Sequence, residues 1–124
     1  MKIPVPVEAE TFDVFDVQQL TRATSLESVV AVDVVDVVPH QVSEIHRHNN
    51  ADTVLYIVAG EANVIVDDTK HAVRTGDRVH IPPGAFHGVV TEGVPLRFLS
   101  VQTPPILCKE TGNLDLEYKN AGDA

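Results

Sequence analysis

Between Ser28 and Gln102 the sequence breaks into about seven short, valine-rich runs, each stopped by glycine, proline or paired aspartates. No other feature limits the fold as much. Runs of four to eight residues rich in β-branched side chains and closed by turn formers at regular spacing are the mark of a β-sandwich or barrel. The strands read as Thr53–Ala59 ending at Gly60, Ala62–Val66, His71–Val73, Arg78–Ile81, His87–Thr91 and Leu96–Gln102. Asp67-Asp68-Thr69-Lys70 reads as a hairpin turn, Thr75-Gly76-Asp77 and Glu92-Gly93 as further turns, and Pro82-Pro83-Gly84 as a strand stop.

The valine run Ser28–Val38 is less regular. Val30, Val32 and Val34 share one parity and Val35 and Val37 the other, while Asp33 and Asp36 fall on opposite parities. A one-residue change of face near Val34-Val35, through a bulge or bend, is expected; the alternative is a strand buried on both faces that tolerates two aspartates. Outside the barrel, residues 1–10 read as an extended arm, Thr11–Val17 as a short strand, and Leu114–Tyr118 as one more strand or an arm on a partner. The division is therefore an arm with a short strand over 1–27, a barrel over 28–106 and a tail over 107–124.

Composition narrows the function. Hydrophobic residues make up 44% of the chain, enough for one core in 124 residues. A formal charge of −9 argues against nucleic acid and against anionic membrane surfaces, because phosphate binding needs clustered Lys and Arg. Cys108 is the sole cysteine, so no intrachain disulfide forms and a reducing compartment is expected. The first ten residues lack an apolar segment of leader length, and no apolar run approaches the roughly 20 residues of a membrane helix. The expectation is a cytoplasmic protein.

Within the barrel, His46-Arg47-His48 places two imidazoles on one strand face, since strand side chains alternate. Neutral imidazoles so placed can hold one metal ion. His87, about 40 residues later, follows Pro82-Pro83-Gly84-Ala85-Phe86. From Gly76 onward the spacing Gly, five residues, Pro, one residue, Gly, two residues, His is met by Gly76, Pro82, Gly84 and His87. This pattern resembles the second motif of the cupin superfamily, with Thr91 where that motif has Asn. His46, His48 and Gly60 resemble the first cupin motif; His40 stands where its leading Gly would be.

The resemblance spans roughly Val30 to Gln102. It implies an all-β double-stranded β-helix, or jelly-roll barrel, of the small single-domain cupin type. It also implies one divalent ion (Fe, Zn, Ni, Mn or Cu) on His46, His48 and His87. Many cupins add a glutamate to the three histidines. Its position here falls on Asp52 counted from His48, or on Thr53 counted back from Gly60. Asp52 is a candidate fourth ligand with a shorter side chain; Thr53 has the better register and would leave three histidines and waters. Without an anionic ligand the ion's charge is uncompensated, which favours an anionic substrate or an acidic bound water.

Other chemistry-bearing residues have plainer readings. His40 is a loop or rim histidine and His71 a surface one. His80 lines the cavity or lies outside. Arg47 points away from the ligands into a surface or interface pair. Tyr56 packs, Phe86 packs beside His87, and one of Arg97 and Gln102 reaches the cavity mouth. Cys108 is an inert thiol. No phosphate loop, Gly-x-Ser-x-Gly elbow or Cys-x-x-Cys is present. The expected function is a metal-dependent enzyme, dioxygenase-like or Lewis-acid, on a small oxygen-bearing metabolite. The alternative is a small-ligand-binding module with a structural or vestigial metal site. The resemblance further implies a homodimer.

Overall fold

A computed structural model describes residues 1–4, 9–107 and 111–119; Cys108 and part of the N-terminal arm lie outside the described residues. Among these, strands alone make up the regular structure: β1 (Glu10–Phe12), β2 (Phe15–Gln19), β3 (Ala31–Val37), β4 (His46–Arg47), β5 (Asp52–Ala59), β6 (Glu61–Val66), β7 (Thr69–Arg74), β8 (Arg78–Ile81), β9 (His87–Val90), β10 (Leu96–Thr103) and β11 (Glu117–Tyr118). They form two antiparallel sheets, ordered β1-β2-β3-β10-β5-β8 and β11-β4-β9-β6-β7. This is the expected double-stranded β-helix. No helix long and apolar enough to cross a membrane occurs among the described residues.

The core lies between the sheets. Val35, Val37, Leu55, Ile57, Ile81, Leu96 and Phe98 face inward from the first sheet and meet Val64, Val73 and Val89 of the second. β5 shows the underlying pattern, alternating exposed and buried residues from Asp52 to Ile57. The β6–β7 hairpin is tighter than the sequence suggests. Only Asp67 and Asp68 form the loop, both at positive φ (46° and 67°), and Thr69 and Lys70 already belong to β7. Two such residues match the twist of a two-residue hairpin. Gly60 turns the chain from β5 to β6 at φ 93°, and a Cβ there would stand 2.0 Å from the carbonyl oxygen of Pro95.

The expected face change in the valine run does not occur. β3 pairs with β10 in unbroken register from Ala31↔Gln102 to Val37↔Leu96. Val35 and Val37 point inward, and so does Asp33 two residues before, while Val32 and Val34 lie half-buried on the outer face. Valine occupies both parities because the outer face is itself valine-coated: Val34 sits beside Leu99 and Val32 beside Val101. The irregularity of this sheet lies in β10, between Arg97 and Phe98, against β5. Asp36 faces outward and takes a two-pronged ion pair from Arg97, at 2.8 and 3.1 Å.

Candidate metal centre

His46 of β4 and His87 at the start of β9 are direct cross-strand partners. His48 stands just past the end of β4 with the same parity as His46. The ring centroids are 4.4 Å apart for His46 and His87 and 5.1 Å for each of the other two pairs. One nitrogen from each ring lies within 4.8 Å of the others. Gly84 ties the two histidine segments together. At φ 84° its N–H donates to the His48 carbonyl at 2.7 Å, which pins the Pro82–Phe86 loop across the end of β4. Thr91, in the place of the motif's Asn, is buried; its Oγ1 donates to the Val38 carbonyl (2.7 Å) and accepts the Gln41 N–H (3.0 Å).

All three rings are fixed in one tautomer. Nδ1 faces a backbone carbonyl in each: Glu44 for His46 (3.3 Å), Asp115 for His48 (2.7 Å) and Ala85 for His87 (3.0 Å). A carbonyl only accepts, so each Nδ1 carries the proton and each Nε2 keeps its lone pair. Burial, reinforced by the neighbouring rings, lowers the His46 pKa to about 4 and the His87 pKa to about 3; burial also lowers that of His48. The trio is thus neutral at pH 7, the protonation state a metal needs. Close-set rings whose Nδ1–H groups are anchored on carbonyls leave Nε2 as the free donor, the arrangement of metal-binding histidines, and these residues fit a divalent ion.

Asp52 does not join the three. It takes the outward parity of β5, and its carboxylate meets His80 Nε2 at 2.6 Å on the exposed face. The fourth-ligand expectation for Asp52 is corrected by simple alternation: Thr53, the next residue, is the one facing in, 1% exposed, its Oγ1 without a hydrogen-bond partner among the described residues. His80 therefore lies outside the cavity, and His40 and His71 are exposed or at the rim. Arg47 points away from the ligands, pairing with Glu117 at 3.0 Å and lying 4.6 Å over the Phe86 ring. Phe86 thus serves Arg47 as a stacking platform. Tyr56 is exposed. Of Arg97 and Gln102, Gln102 has the inward parity, opposite Thr53.

Two contributions to the site go beyond the Thr53 and Gln102 readings of the sequence. The first is a polar wall. Inward positions at one end of the first sheet read Gln19, Asp33 and Ser100 in one cross-strand row and Gln102 and Thr53 in the next. Four residues join His48 to Thr53, and five join Ile81, the partner of Thr53, to His87. Short connections of this kind keep the Gln102–Thr53 row at the histidine end of the barrel. Phe15, on the inner face of β2, makes an edge contact with His46 at 6.5 Å. Asp33 has no hydrogen-bond partner among the described residues, and burial raises its carboxyl to about 6. The signal was there: Asp33 shares the parity of Val35 and Val37.

The second contribution is the tail. β11 pairs with β4, and Lys119 N–H donates to Ile45. Besides receiving the His48 Nδ1–H, Asp115 accepts from the N–H groups of Asn49, Asn50 and Ala51 through its carboxylate, at 2.7, 3.0 and 3.0 Å. Burial pushes this carboxyl up, but the three donors together outweigh it and hold it below its ordinary range.

The cupin domain model matches residues 33–102. The chain belongs to the cupin family. An uncharacterized protein of Methanocaldococcus jannaschii is 32% identical over 72 residues, 57% of this chain and 58% of that protein; the chain thus spans little more than half of that relative's length. The TT1209 protein of Thermus thermophilus superposes with a TM-score of 0.59 at 31% identity, over 62% of this chain and 74% of the other. A Cupin 2 conserved barrel domain protein from Salinispora arenicola gives a TM-score of 0.72 at 21% identity, over 83% and 88%, a likeness of fold alone.

Proposed function

We propose that this cupin is a mononuclear metal-dependent enzyme that moves a proton on a small oxygen-bearing metabolite. Two observations support the reading: one nitrogen from each of three histidine rings lies within 4.8 Å of the others, and the carboxyl of Asp33, on the inward parity of β3, has no hydrogen-bond partner among the described residues. His46, His48 and His87 would hold the ion, which when bound supplies Lewis acidity and, if it is iron, the capacity to activate dioxygen. Asp33, raised to about 6, takes or returns a proton near neutral pH, where a general base is most effective. The hydroxyls of Thr53 and Ser100 and the amides of Gln19 and Gln102 offer hydrogen bonds to substrate oxygens. Val35, Leu55 and Phe98 beneath them are buried and exclude water from the floor. With no carboxylate among the three metal-binding side chains, an anionic substrate is favoured.

A dioxygenase is the second reading, supported by the all-histidine donor set; a non-catalytic ligand-binding module is the third. Protein reconstituted with Zn(II), or anaerobically with Fe(II), and screened against hydroxy acids, keto acids, lactones and catechols separates them. The proposal expects turnover without oxygen uptake, lost in Asp33→Asn. Oxygen uptake confined to the Fe(II) form would make it a dioxygenase, and saturable binding without product would make it a binding module.

The outer face of the first sheet supports a homodimer. Val54, Tyr56, Val58 and Val101 are exposed there, flanked by the Asp52–His80 and Asp36–Arg97 pairs, an apolar patch with a charged rim. Light scattering of Tyr56→Lys, expected to be monomeric, tests it. The net charge of −9 and the single cysteine support a cytoplasmic protein that does not bind nucleic acid.

A further inference from the structure

The tail segment Asp115–Tyr118 belongs to no part of the two histidine motifs, yet it encloses the ligand segment from one side. Its contacts fall on three successive features of that segment. The Asp115 carbonyl receives the His48 Nδ1–H at 2.7 Å, and the Asp115 carboxylate gathers the next three backbone N–H groups, Asn49 to Ala51. Glu117 binds Arg47, the residue between the two ligands, at 3.0 and 3.1 Å and also accepts from Asn49 at 3.3 Å. The Tyr118 ring stands edge-on to His46 at 6.2 Å.

His48 needs this support because it has little of its own. It lies beyond the two residues of β4, outside the strand ladder, and the Gly84 N–H on its carbonyl (2.7 Å) holds its backbone but does not orient its ring. The tail is held in place by links independent of the histidines: Asp115 N–H to the Ile106 carbonyl (2.6 Å), the Leu107–Leu114 bridge, and Lys119 N–H to the Ile45 carbonyl (2.8 Å).

We infer that Asp115–Tyr118 is the positioning element of the metal centre: it locks His48 in its ligating tautomer and orientation, so that ion binding and tail docking are mutually cooperative. This rests on the three-histidine reading. A carbonyl partner on a ligating imidazole commonly changes metal affinity about 10–100-fold when disturbed. Linkage requires that whatever the docked tail adds to ion affinity, the ion adds to tail docking.

The test is a Co(II) titration followed by its visible absorption, with a competing chelator to set the affinity, on wild type, His87→Ala, Asp115→Ala and Asp115→Asn. Asn keeps one oxygen, which can still accept the Asn50 and Ala51 N–H groups that share Oδ2, while its NH2 cannot accept the Asn49 N–H, so it should rescue in part. The expected result is that His87→Ala abolishes the site. Asp115→Ala weakens Co(II) about 10–100-fold with an altered absorption band, and Asp115→Asn stays within a few-fold of wild type. A second measurement needs no variant: amide exchange of Asn49, Asn50, Ala51 and Lys119 in wild type should slow at least about tenfold when Zn(II) is added. If wild type binds no ion, the metal reading itself fails. If wild type binds Co(II) and His87→Ala does not, but Asp115→Ala matches wild type or Zn(II) leaves those amides unchanged, the tail inference is overturned and the metal reading stands.

Discussion

His87 and His46 each donate Nδ1–H to a carbonyl two residues earlier in the chain, at 3.0 and 3.3 Å, whereas His48 donates to Asp115, 67 residues on, at 2.7 Å. The difference separates two ways of building a ligand. His87 is aimed by its own surroundings: the glycine-bearing loop ahead of it and the β4 and β6 partners on either side of β9. His48 sits past the end of a two-residue strand and takes its orientation from a remote segment. The two rings then serve one function with different dependence on the rest of the molecule, and perturbing each in turn shows how far that dependence goes.

The largest effect is expected at the locally built ligand. His87→Ala should reduce metal from near-stoichiometric to background in elemental analysis, with the fold retained by circular dichroism. Residual stoichiometric metal would mean that the remaining pair suffices and that the comparison is moot. Next comes the link between the two. Gly84→Ala meets no atom within 4 Å, so its cost is the left-handed backbone alone, about 1–2 kcal/mol in a denaturant melt. An unchanged midpoint would show that the left-handed backbone at this position carries no cost for a side chain.

The opposing wall gives a pH signature. The fold lowers His87 to about 3 and His46 to about 4, from roughly 6.5 in an unfolded chain. The unfolded state therefore binds more protons between these limits; the contribution of the pair is complete above about 6.5 and lost as pH falls through 4 to 3. Asp33 has the opposite sign. Raised from 3.8 to about 6, it favours folding most below its unfolded value and loses that contribution as pH rises through 6. Metal-free Asp33→Asn should thus be more stable than wild type at pH 7.5, by about 1–2 kcal/mol once its partial exposure is discounted, with no gain near pH 3. A gain independent of pH would show that Asp33 does not titrate as its burial implies. The smallest effect is expected from Glu117→Ala, which removes an exposed ion pair with Arg47: a thermal midpoint within about 1 °C of wild type.

What could be read from sequence follows the same divide. The strands, the turn at Gly76 and the shared face of His46 and His48 are local in spacing, and two-residue alternation carried them; that His87 joins the pair was implied by the resemblance of the Gly76–His87 spacing to a cupin motif. The same alternation decides between Asp52 and Thr53 once the start of β5 is known, and a one-residue count was the whole ambiguity. Asp33 was misjudged because valine coats both faces of β3, so hydrophobicity ceased to report which side is inside. Asp115 and Glu117 carried no signal at all: their partners lie 64 to 70 residues away, and an acidic, half-exposed tail looks like any solvated one.

The register of β11 has a consequence in time. Its neighbour is β4, which itself rests on β9, so the tail has nothing to pair with until strands distant in sequence have met. Contacts of such separation form late, because chain entropy must be surrendered before they return anything. On this topology the docked tail and the His48 orientation it gives are expected among the final features of the native state to appear. On the three-histidine reading, an ion that needs His48 in place would meet a chain already past its folding barrier, and so would prolong the lifetime of the folded protein while leaving the rate of folding almost untouched.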